Sequence, residues 1–262
     1  MQKFIHDFEV ISNTRLNAQH FVLKLHCSEK LPPILPGQFA EARIDKSVTT
    51  FLRRPFSIHD VDRDENTISL LVKQMGAGTG KLGTLEAGDI VNMIYPLGHG
   101  FSMPGGNNVL LVGGGCGVAP LLMLAKHLRQ HGINITTLMG GRTTDDILQP
   151  DAYRKYGEVM ITTDDGSSGE AGMVTEHSLF QVSLSGFSQV YACGPEPMMK
   201  AIAAIAHEQG IPCEVSLENT MACGIGVCLC CVVETHDGNK CVCTEGPVFD
   251  ANYLANWGAA VC

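Results

Sequence analysis

Residues 109–120 have the sequence Val-Leu-Leu-Val-Gly-Gly-Gly-Cys-Gly-Val-Ala-Pro, an apolar run that leads into a glycine-rich turn. The pattern after it predicts a helix from about residue 119 to 130. In a strand, glycine turn and helix of this kind, backbone N–H groups and the helix N-terminus can bind a pyrophosphate. Pro120 stands where the usual dinucleotide fingerprint has its last glycine. Taken alone, such a loop is weak evidence, because a tight turn needs the same glycines.

The uncharged stretch around this turn is long enough to be tested as a membrane span. Residues 102–125 are 24 positions without a charge, the length of a transmembrane helix. Two prolines and six glycines in the stretch make it poor material for one continuous helix. The sequence therefore predicts no membrane span here.

The sequence changes character on the two sides of residue 108. Before it, short apolar runs at 21–25, 38–44, 68–73 and 90–94 are separated by turn residues, a pattern typical of a small antiparallel barrel. After it, predicted strands at 108–112, 133–139, 158–163 and 189–192 are separated by helical stretches, notably 121–130 and 197–209. That alternation predicts a parallel α/β sheet.

A third pattern begins after Gly210, where about 50 residues hold eight of the 11 cysteines. This segment is short for an independent hydrophobic core, and a bound metal centre would supply the missing stability. We therefore expect a multidomain β plus α/β protein. Its predicted parts are a barrel over 1–102, a nucleotide-type α/β domain over 103–212 and a cysteine module over 213–262.

Charge and composition exclude several classes of partner. The 262 residues include 18 basic and 27 acidic side chains, a net charge of −9, which argues against nucleic acid or an anionic membrane as the main partner. Residues 1–9 contain no apolar segment of a signal peptide, so we expect a cytoplasmic location. In a reducing compartment, clustered cysteines are more often metal ligands than disulfides.

The spacing of the cysteines identifies the kind of metal centre. Cys223, Cys228 and Cys231 form Cys-x4-Cys-x2-Cys, the plant-type spacing for a [2Fe-2S] cluster. Gly224 and Gly226 permit positive φ, so the loop can bring backbone N–H groups toward bridging sulfides. Zinc is the alternative, although structural zinc sites normally have two short pairs of ligands.

The spacing leaves the fourth ligand open. Cys230 is adjacent to Cys231, and neighbouring residues generally point in different directions. Cys241 and Cys243 lie two apart on a predicted strand and would face the same side, so periodicity does not choose between them. Cys27, Cys116, Cys213 and Cys262 have no assigned chemistry.

A set of residues in the barrel has the chemistry of a flavin site. Arg54 and Lys73 can neutralise phosphates, and Phe56 offers a surface for an isoalloxazine ring. Ser57 and Thr79 offer hydroxyl donors. Each residue alone has an ordinary structural explanation, and the order of the set makes it informative.

These motifs together resemble the ferredoxin reductase superfamily over residues 1 to about 215. The resemblance lies in Arg-Pro-Phe-Ser at 54–57, Gly-Thr at 78–79, Gly-x-Gly-x-x-Pro at 115–120 and Cys-Gly-Pro at 193–195. Residues 221–231 and 243–249 are similar to one branch, the electron-transfer subunits of NAD-dependent dihydroorotate dehydrogenases.

The resemblance implies FAD, NAD and a [2Fe-2S] cluster as cofactors. For FAD it implies contacts from Arg54, Pro55, Phe56, Ser57, Leu71, Val72, Lys73, Gly78 and Thr79. For NAD it implies Gly115, Gly117 and Pro120 at the pyrophosphate, with Gly194 and the candidate catalytic residue Cys193 at the nicotinamide. It also implies Cys243 as the fourth cluster ligand, while Cys230 and Cys241 are cysteines that the family pattern does not require.

No part of the chain is left over to bind an organic substrate, since each predicted domain already houses a redox group. The resemblance implies that dihydroorotate is oxidised on a separate FMN-containing subunit, from which electrons pass through the cluster and FAD to NAD+. It further implies a heterotetramer of two chains of each kind. Arg142 could meet a 2′-phosphate and favour NADP, whereas the resemblance implies NAD.

Two other functions stay open at this point. One is a flavin and iron-sulfur reductase subunit of another complex, of the hydrogenase or NADH:ferredoxin type. The other, from a different class, is a zinc-binding interaction module in which the glycine loops are only turns.

Overall fold

The first hundred residues form a closed barrel of six antiparallel strands in the computed structural model, which describes residues 2–45, 50–255 and 257. The strands are β1 (Phe4–Arg15), β2 (His20–Cys27), β3 (Phe39–Ala42), β4 (Arg54–Asp62), β5 (Thr67–Lys73) and β6 (Ile90–Leu97). They close in the order β1–β2–β5–β4–β3–β6. All four strands predicted in this part are present, so the barrel prediction is confirmed.

Alternating side chains fill the barrel. In β2, Phe21, Leu23 and Leu25 are fully buried while the residues between them are only partly so. Strand β1 is not among the predicted strands, because exposed polar residues flank its two fully buried side chains, Phe8 and Val10. A short helix, α1 (Ala77–Leu82), follows β5 and carries the Gly78-Thr79 pair.

The second part is a seven-stranded sheet whose strands are mostly parallel. Its elements are β7 (Asn108–Gly114), α2 (Leu121–Gln130), β8 (Asn134–Gly141), α3 (Pro150–Arg154), β9 (Glu158–Thr163), β10 (Glu170–Ala171), β11 (Gln189–Cys193), α4 (Glu196–Glu208) and β12 (Cys213–Ser216). The strand order is β10–β9–β8–β7–β11–β12, with one further strand beyond β12. The strands and helices predicted between residues 108 and 209 are all found. Within the described residues, no helix has the length and apolar character needed to cross a membrane.

The C-terminal segment adds to this sheet and does not stand apart from it. Besides β12, it contains the hairpin β13 (Val232–Thr235) and β14 (Gly238–Cys241), the short helix α5 (Val242–Glu245) and β15 (Val248–Asp250). Strand β15 pairs antiparallel with β12 and completes the sheet. Cys231 and Cys243 share one hydrophobic cluster with Leu110 and Val112 of the sheet. The segment is therefore stabilised by the core of its neighbour as well as by any bound metal centre.

Candidate functional site

A cavity of about 1670 Å³ opens between the barrel and the sheet. Thirteen of the fourteen residues predicted to hold FAD or NAD or to act at the nicotinamide line it: Arg54, Pro55, Phe56, Ser57, Leu71, Lys73, Gly78, Thr79, Gly115, Gly117, Pro120, Cys193 and Gly194. The exception is Val72, whose side chain is buried in the barrel core. Adjacent residues of a strand point to opposite faces, so Leu71 and Lys73 reach the cavity where Val72 does not.

The barrel side of the cavity brings together cations, an aromatic ring and hydroxyl groups. Residues 54–57 begin β4 and are all half-buried. Arg54 Nη1 donates to the carbonyl oxygens of Leu52 and Arg53, at 3.1 and 3.2 Å, which fixes the guanidinium at the edge of the cavity. The Thr79 hydroxyl oxygen accepts from the N–H groups of Met75 and Gly76 and so holds the start of α1. This set of side chains suits a flavin with a charged phosphate tail.

The sheet side is formed by the carboxyl ends of β7 and β11, which lie side by side with Gly113 opposite Cys193. The turn after β7 is a 3-10 turn over Gly115–Val118, and Gly115 has φ +52°. A Cβ on Gly117 would overlap the Cys193 carbonyl oxygen and Gly194 Cα, so the two strand ends touch through backbone alone. Ligands bind at such strand ends in open α/β sheets.

Cys193 is a buried, neutral thiol at this junction. Desolvation, reinforced by the charge of Glu218, raises its pKa to about 12, while a hydrogen bond from Ser216 opposes that rise. Desolvation also raises the pKa of the nearby Cys116 thiol to about 12. Neither group is a thiolate near neutral pH. The strand ends therefore offer small, uncharged side chains, and neither of these two thiols is an activated nucleophile.

The outer edge of the cavity contains an ion pair that the sequence analysis noted only in part. Arg142 follows β8 directly, and its backbone N–H and Nε both donate to Asp146 Oδ2, at 3.2 and 3.4 Å. The Asp146 side chain is 15% exposed and that of Arg142 75% exposed. Arg142 was a candidate from the sequence, whereas Asp146 was not, although it lies only four residues further along the chain.

The loop over residues 223–231 directs backbone N–H groups at cysteine sulfurs. The Cys223 sulfur accepts from the N–H groups of Ile225 (3.5 Å) and Cys228 (3.4 Å). The Cys243 sulfur accepts from Gly226 at 3.2 Å, and the Cys231 sulfur accepts from Cys243 at 3.4 Å. Gly224 and Gly226 have φ +65° and +84°, as the sequence analysis required of them. Donors aimed at sulfur tune an iron-sulfur cluster.

The electrostatics of these sulfurs follow from their surroundings. Desolvation is the largest single effect on Cys223 and raises its pKa, but the combined N–H donors of Ile225, Cys228 and Val227 outweigh it and bring the pKa to about 6. Desolvation, with a further contribution from Cys231, raises the pKa of Cys243 to about 12. The described residues contain no group of three His, Cys, Asp or Glu side chains placed to hold a single metal ion. Four thiols with N–H donors between them nevertheless suit a two-iron cluster, whose ligands are divided between two metals.

The remaining cysteines are distinguished by where they lie. The prediction that Cys241 and Cys243 share a strand is wrong, because β14 ends at Cys241 and Cys243 lies on α5. Cys243 is 1% exposed beside the loop, whereas Cys241 is half-buried with its N–H bonded to Glu245. Cys228 and Cys230 are both exposed. Cys262 lies outside the described residues.

Comparison with known proteins supports an NAD-binding domain in the sheet and an iron-sulfur domain in the C-terminal segment. Residues 218–255 match the family model "Iron-sulfur cluster binding domain of dihydroorotate dehydrogenase B", and residues 111–204 match "Oxidoreductase NAD-binding domain". The first match favours an iron-sulfur cluster over zinc and, with the second, confirms the iron-sulfur and NAD predictions.

Several curated relatives and solved structures are similar over most of their length. The chain is 40% identical over 222 residues to the dihydroorotate dehydrogenase B (NAD(+)) electron transfer subunit of Geobacillus thermodenitrificans, covering 82% of this chain and 85% of the relative. It is 38% identical to the subunit of the same name from Caldanaerobacter subterraneus subsp. tengcongensis, covering 92% and 94%.

Among solved structures, that of the NADH-dependent reduced ferredoxin-NADP oxidoreductase, described for flavin-based electron bifurcation, has a TM-score of 0.85 and 32% identity, covering 95% of this chain and 90% of that one. The ferredoxin reductase of carbazole 1,9a-dioxygenase has a TM-score of 0.71 at 20% identity over 81% and 68% of the two chains, which supports the fold alone. The predicted ferredoxin reductase fold is confirmed.

Proposed function

Because this chain belongs to the family of dihydroorotate dehydrogenase B electron transfer subunits, we propose that it carries electrons from dihydroorotate oxidation on a catalytic partner subunit to NAD+. FAD, a [2Fe-2S] cluster and NAD are its redox groups. When bound, FAD couples the one-electron transfers of a cluster to the two-electron hydride exchange of NAD. We propose that the unit over 1–102 binds FAD, the unit over 103–212 binds NAD and the unit over 213–262 holds the cluster.

The observation that carries this function is that one cavity touches all three parts of the chain. It is lined by Phe56 from the barrel, Gly115 and Cys193 from the sheet, and Met221 and Val233 from the segment that holds the cysteine loop. A flavin bound in this cavity would have the ends of the sheet strands on one side and the segment that holds the cysteine loop on the other.

Each group of residues has a separate task in binding. Arg54 and Lys73 neutralise the FAD phosphates, Phe56 covers the ring, and Ser57 and Thr79 supply polar contacts, while Leu71 packs beside them. Pro55 and Gly78 would line the flavin site, and Val72 lies behind it in the barrel core. Gly115, Gly117 and Pro120 form the NAD pyrophosphate turn, and Cys193 and Gly194 leave room for the nicotinamide.

For the cluster we assign Cys223, Cys228, Cys231 and Cys243 as the four ligands. The sulfurs of Cys223, Cys231 and Cys243 accept backbone N–H groups, and Cys228 contributes its own N–H to Cys223. Cys230 and Cys241 are left out of the proposed set, because they lie outside the Cys-x4-Cys-x2-Cys spacing and the family pattern does not require them.

We propose an FMN-containing catalytic subunit as partner, joined to this chain in a heterotetramer of two subunits of each kind in the cytoplasm. The cysteine loop supports a partner at this surface, because Ile225, Val227 and Leu229 expose 42%, 75% and 65% of their surface there. Apolar side chains grouped on one exposed loop are typical of an interaction site.

The test uses the chain purified without oxygen and loaded with its cofactors. We expect NADH-dependent reduction of a dye and no oxidation of dihydroorotate until the catalytic subunit is added. Gly105→Ala is a suitable control variant, because a Cβ at that glycine meets open space. Turnover of dihydroorotate by the isolated chain would contradict the proposal.

A second candidate is a subunit of a ferredoxin-linked oxidoreductase, which the 32% identity to the NADH-dependent reduced ferredoxin-NADP oxidoreductase favours. The two functions differ in the electron donor. We expect the chain to co-purify with an FMN-containing subunit if the first function is right, and to accept electrons from reduced ferredoxin if the second is right.

A further inference from the structure

Glu41 is a carboxylate buried between the barrel and the cysteine loop. It lies on β3, where Ala40 and Ala42 face the barrel core and Phe39 faces the core shared with the sheet. By strand alternation, Glu41 points to the same side as Phe39. Its side chain has 0% exposure, so it is fully removed from solvent.

Neither oxygen of this carboxylate has a hydrogen-bond partner among the described residues. The neighbouring Arg53 donates to the Glu41 backbone carbonyl at 3.2 Å and to Asn92, and not to the carboxylate. A buried carboxylate without donors is costly, because burial removes the water that would solvate it. Barrel packing alone does not require a charged residue at this position.

The cysteine loop packs against this carboxylate. A Cβ built on Gly224 would lie 2.8 Å from Glu41 Cγ and 3.1 Å from Glu41 Oε1. Gly224 follows Cys223 directly and has φ +65°. Because it has no side chain, the loop backbone can pack directly against the carboxylate. The fully buried carboxyl group of Glu41 therefore lies against the residue that follows the first cysteine of the loop, and it carries a negative charge above its pKa.

We propose that Glu41 sets the reduction potential of the iron-sulfur cluster held by this loop. Adding an electron to a cluster is less favourable beside a buried negative charge, because little solvent screens the repulsion between them. Glu41 thus holds the potential below the value that the cysteines and their N–H donors alone would give. The inference rests on the cluster site proposed above.

The experiment is a redox titration of the cluster-loaded chain, followed by the EPR signal of the reduced cluster. It compares the wild type with Glu41→Gln, which keeps the shape and removes the charge, and with Glu41→Met, which suits an apolar site should the amide prove disruptive. The titration is run at pH 9, above the pKa of Glu41, which desolvation raises to about 7. Glu9→Gln, on the exposed face of β1, is the matched control.

We expect both variants to raise the ratio of reduced to oxidised cluster about tenfold at a fixed ambient potential, a shift of about 59 mV for one electron. Glu9→Gln should leave the ratio unchanged. A full cluster with an unshifted potential in both variants would overturn the inference and leave the proposed function intact. Loss of the cluster from both variants would also overturn it, since the carboxylate would then be structural. Absence of a cluster from the wild type would instead overturn the proposed function.

Discussion

At the scale of single residues, two adjacent cysteines at the end of the loop have opposite environments. Cys231 is 2% exposed, and its sulfur accepts the Cys243 N–H, whereas Cys230 is exposed. The hydrogen bond that the Cys231 sulfur accepts is of the kind that tunes a cluster ligand. The two residues therefore form a natural pair for testing the ligand assignment.

We expect Cys231→Ser to abolish the EPR signal of the reduced cluster and Cys230→Ser to keep it. The reason is that the first substitution removes an enclosed sulfur donor, while the second changes an exposed side chain. The iron content per chain gives an independent measure. A wild-type spectrum from Cys231→Ser would refute the assignment.

Asp146 is a second residue whose role follows from its surroundings. Its carboxylate neutralises Arg142 at the edge of the cavity, so a 2′-phosphate placed there would meet a negative charge and an arginine already paired. Repulsion of this kind discriminates between two similar ligands. We therefore expect the chain to prefer NADH to NADPH.

Asp146→Asn should lower the ratio of kcat/KM for NADH to kcat/KM for NADPH about fivefold to tenfold, which corresponds to roughly 1 to 1.4 kcal/mol. The ratio of kcat/KM for the two coenzymes is measured with a dye as electron acceptor. Asp151→Asn is the control, because Asp151 also pairs with an arginine but on the exposed surface of α3. An unchanged ratio in Asp146→Asn would assign the carboxylate to loop structure alone.

At the scale of elements, the turn after β7 joins the two halves of the nucleotide site. Gly117 allows this turn to rest on the end of β11, where a Cβ would strike the Cys193 carbonyl and Gly194. We expect Gly117→Ala to lower kcat/KM for NADH at least about tenfold, since displacement of a binding loop by a fraction of an ångström has such effects. A melting temperature close to that of the wild type would show that the loss is local. If Gly117→Ala has the same kcat/KM for NADH as the control variant Gly105→Ala, the turn does not have this role in coenzyme binding.

The elements that sequence predicted best are those whose pattern is local. The glycine turn and the cavity residues Arg54, Phe56 and Ser57 are recognisable because neighbours in sequence act together at one site. Val72 does not reach the cavity, because strand alternation turns its side chain into the barrel core. The significance of Glu41 was not predictable, since it depends on contact with Gly224, about 180 positions away in the chain.

The short strands of the C-terminal segment illustrate the same limit. Strand β12 has four residues and β15 three, too few for a periodic pattern, and their place in the sheet is set by pairing with β11 and with each other. In the sequence, Cys243 is distinguished from Cys241 only through the family resemblance. The helix that begins after Cys241 and contains Cys243, α5, also has four residues.

At the scale of the whole molecule, the barrel and the sheet are joined by polar contacts near the nucleotide turn. His59 of β4 is 2% exposed, with Nδ1 2.8 Å from the Ala119 carbonyl oxygen and Nε2 2.9 Å from the side-chain amide of Gln149. Lys126 of α2 donates to the carboxylate of Asp60 and the carbonyl of Val61. These contacts fix the pyrophosphate turn relative to the flavin barrel.

The junction at His59 predicts that the molecule loses stability on acidification. Desolvation lowers the pKa of His59 below 6.5, and the hydrogen bonds to Ala119 and Gln149 and the charge of Asp60 only partly oppose this. Below pH 6.5 the unfolded chain binds a proton at this histidine that the folded chain does not. The free energy of unfolding therefore decreases as the pH is lowered, by at most about 1.4 kcal/mol per pH unit for one such group. Above pH 6.5 the ring is neutral in both states and contributes no slope.

We therefore expect the melting temperature of the cofactor-loaded chain to decrease when the pH is lowered from 7.5 to 5.5. His59→Gln should make that decrease smaller, because it removes the titrating ring. Burial also lowers the pKa of His20 and His127, so part of the fall should remain in the variant. His127→Gln, at a half-exposed position on α2, serves as the matched control and should change the fall less. If His59→Gln shows the same dependence on pH as the wild type, the acid sensitivity of the molecule does not arise at the junction of barrel and sheet.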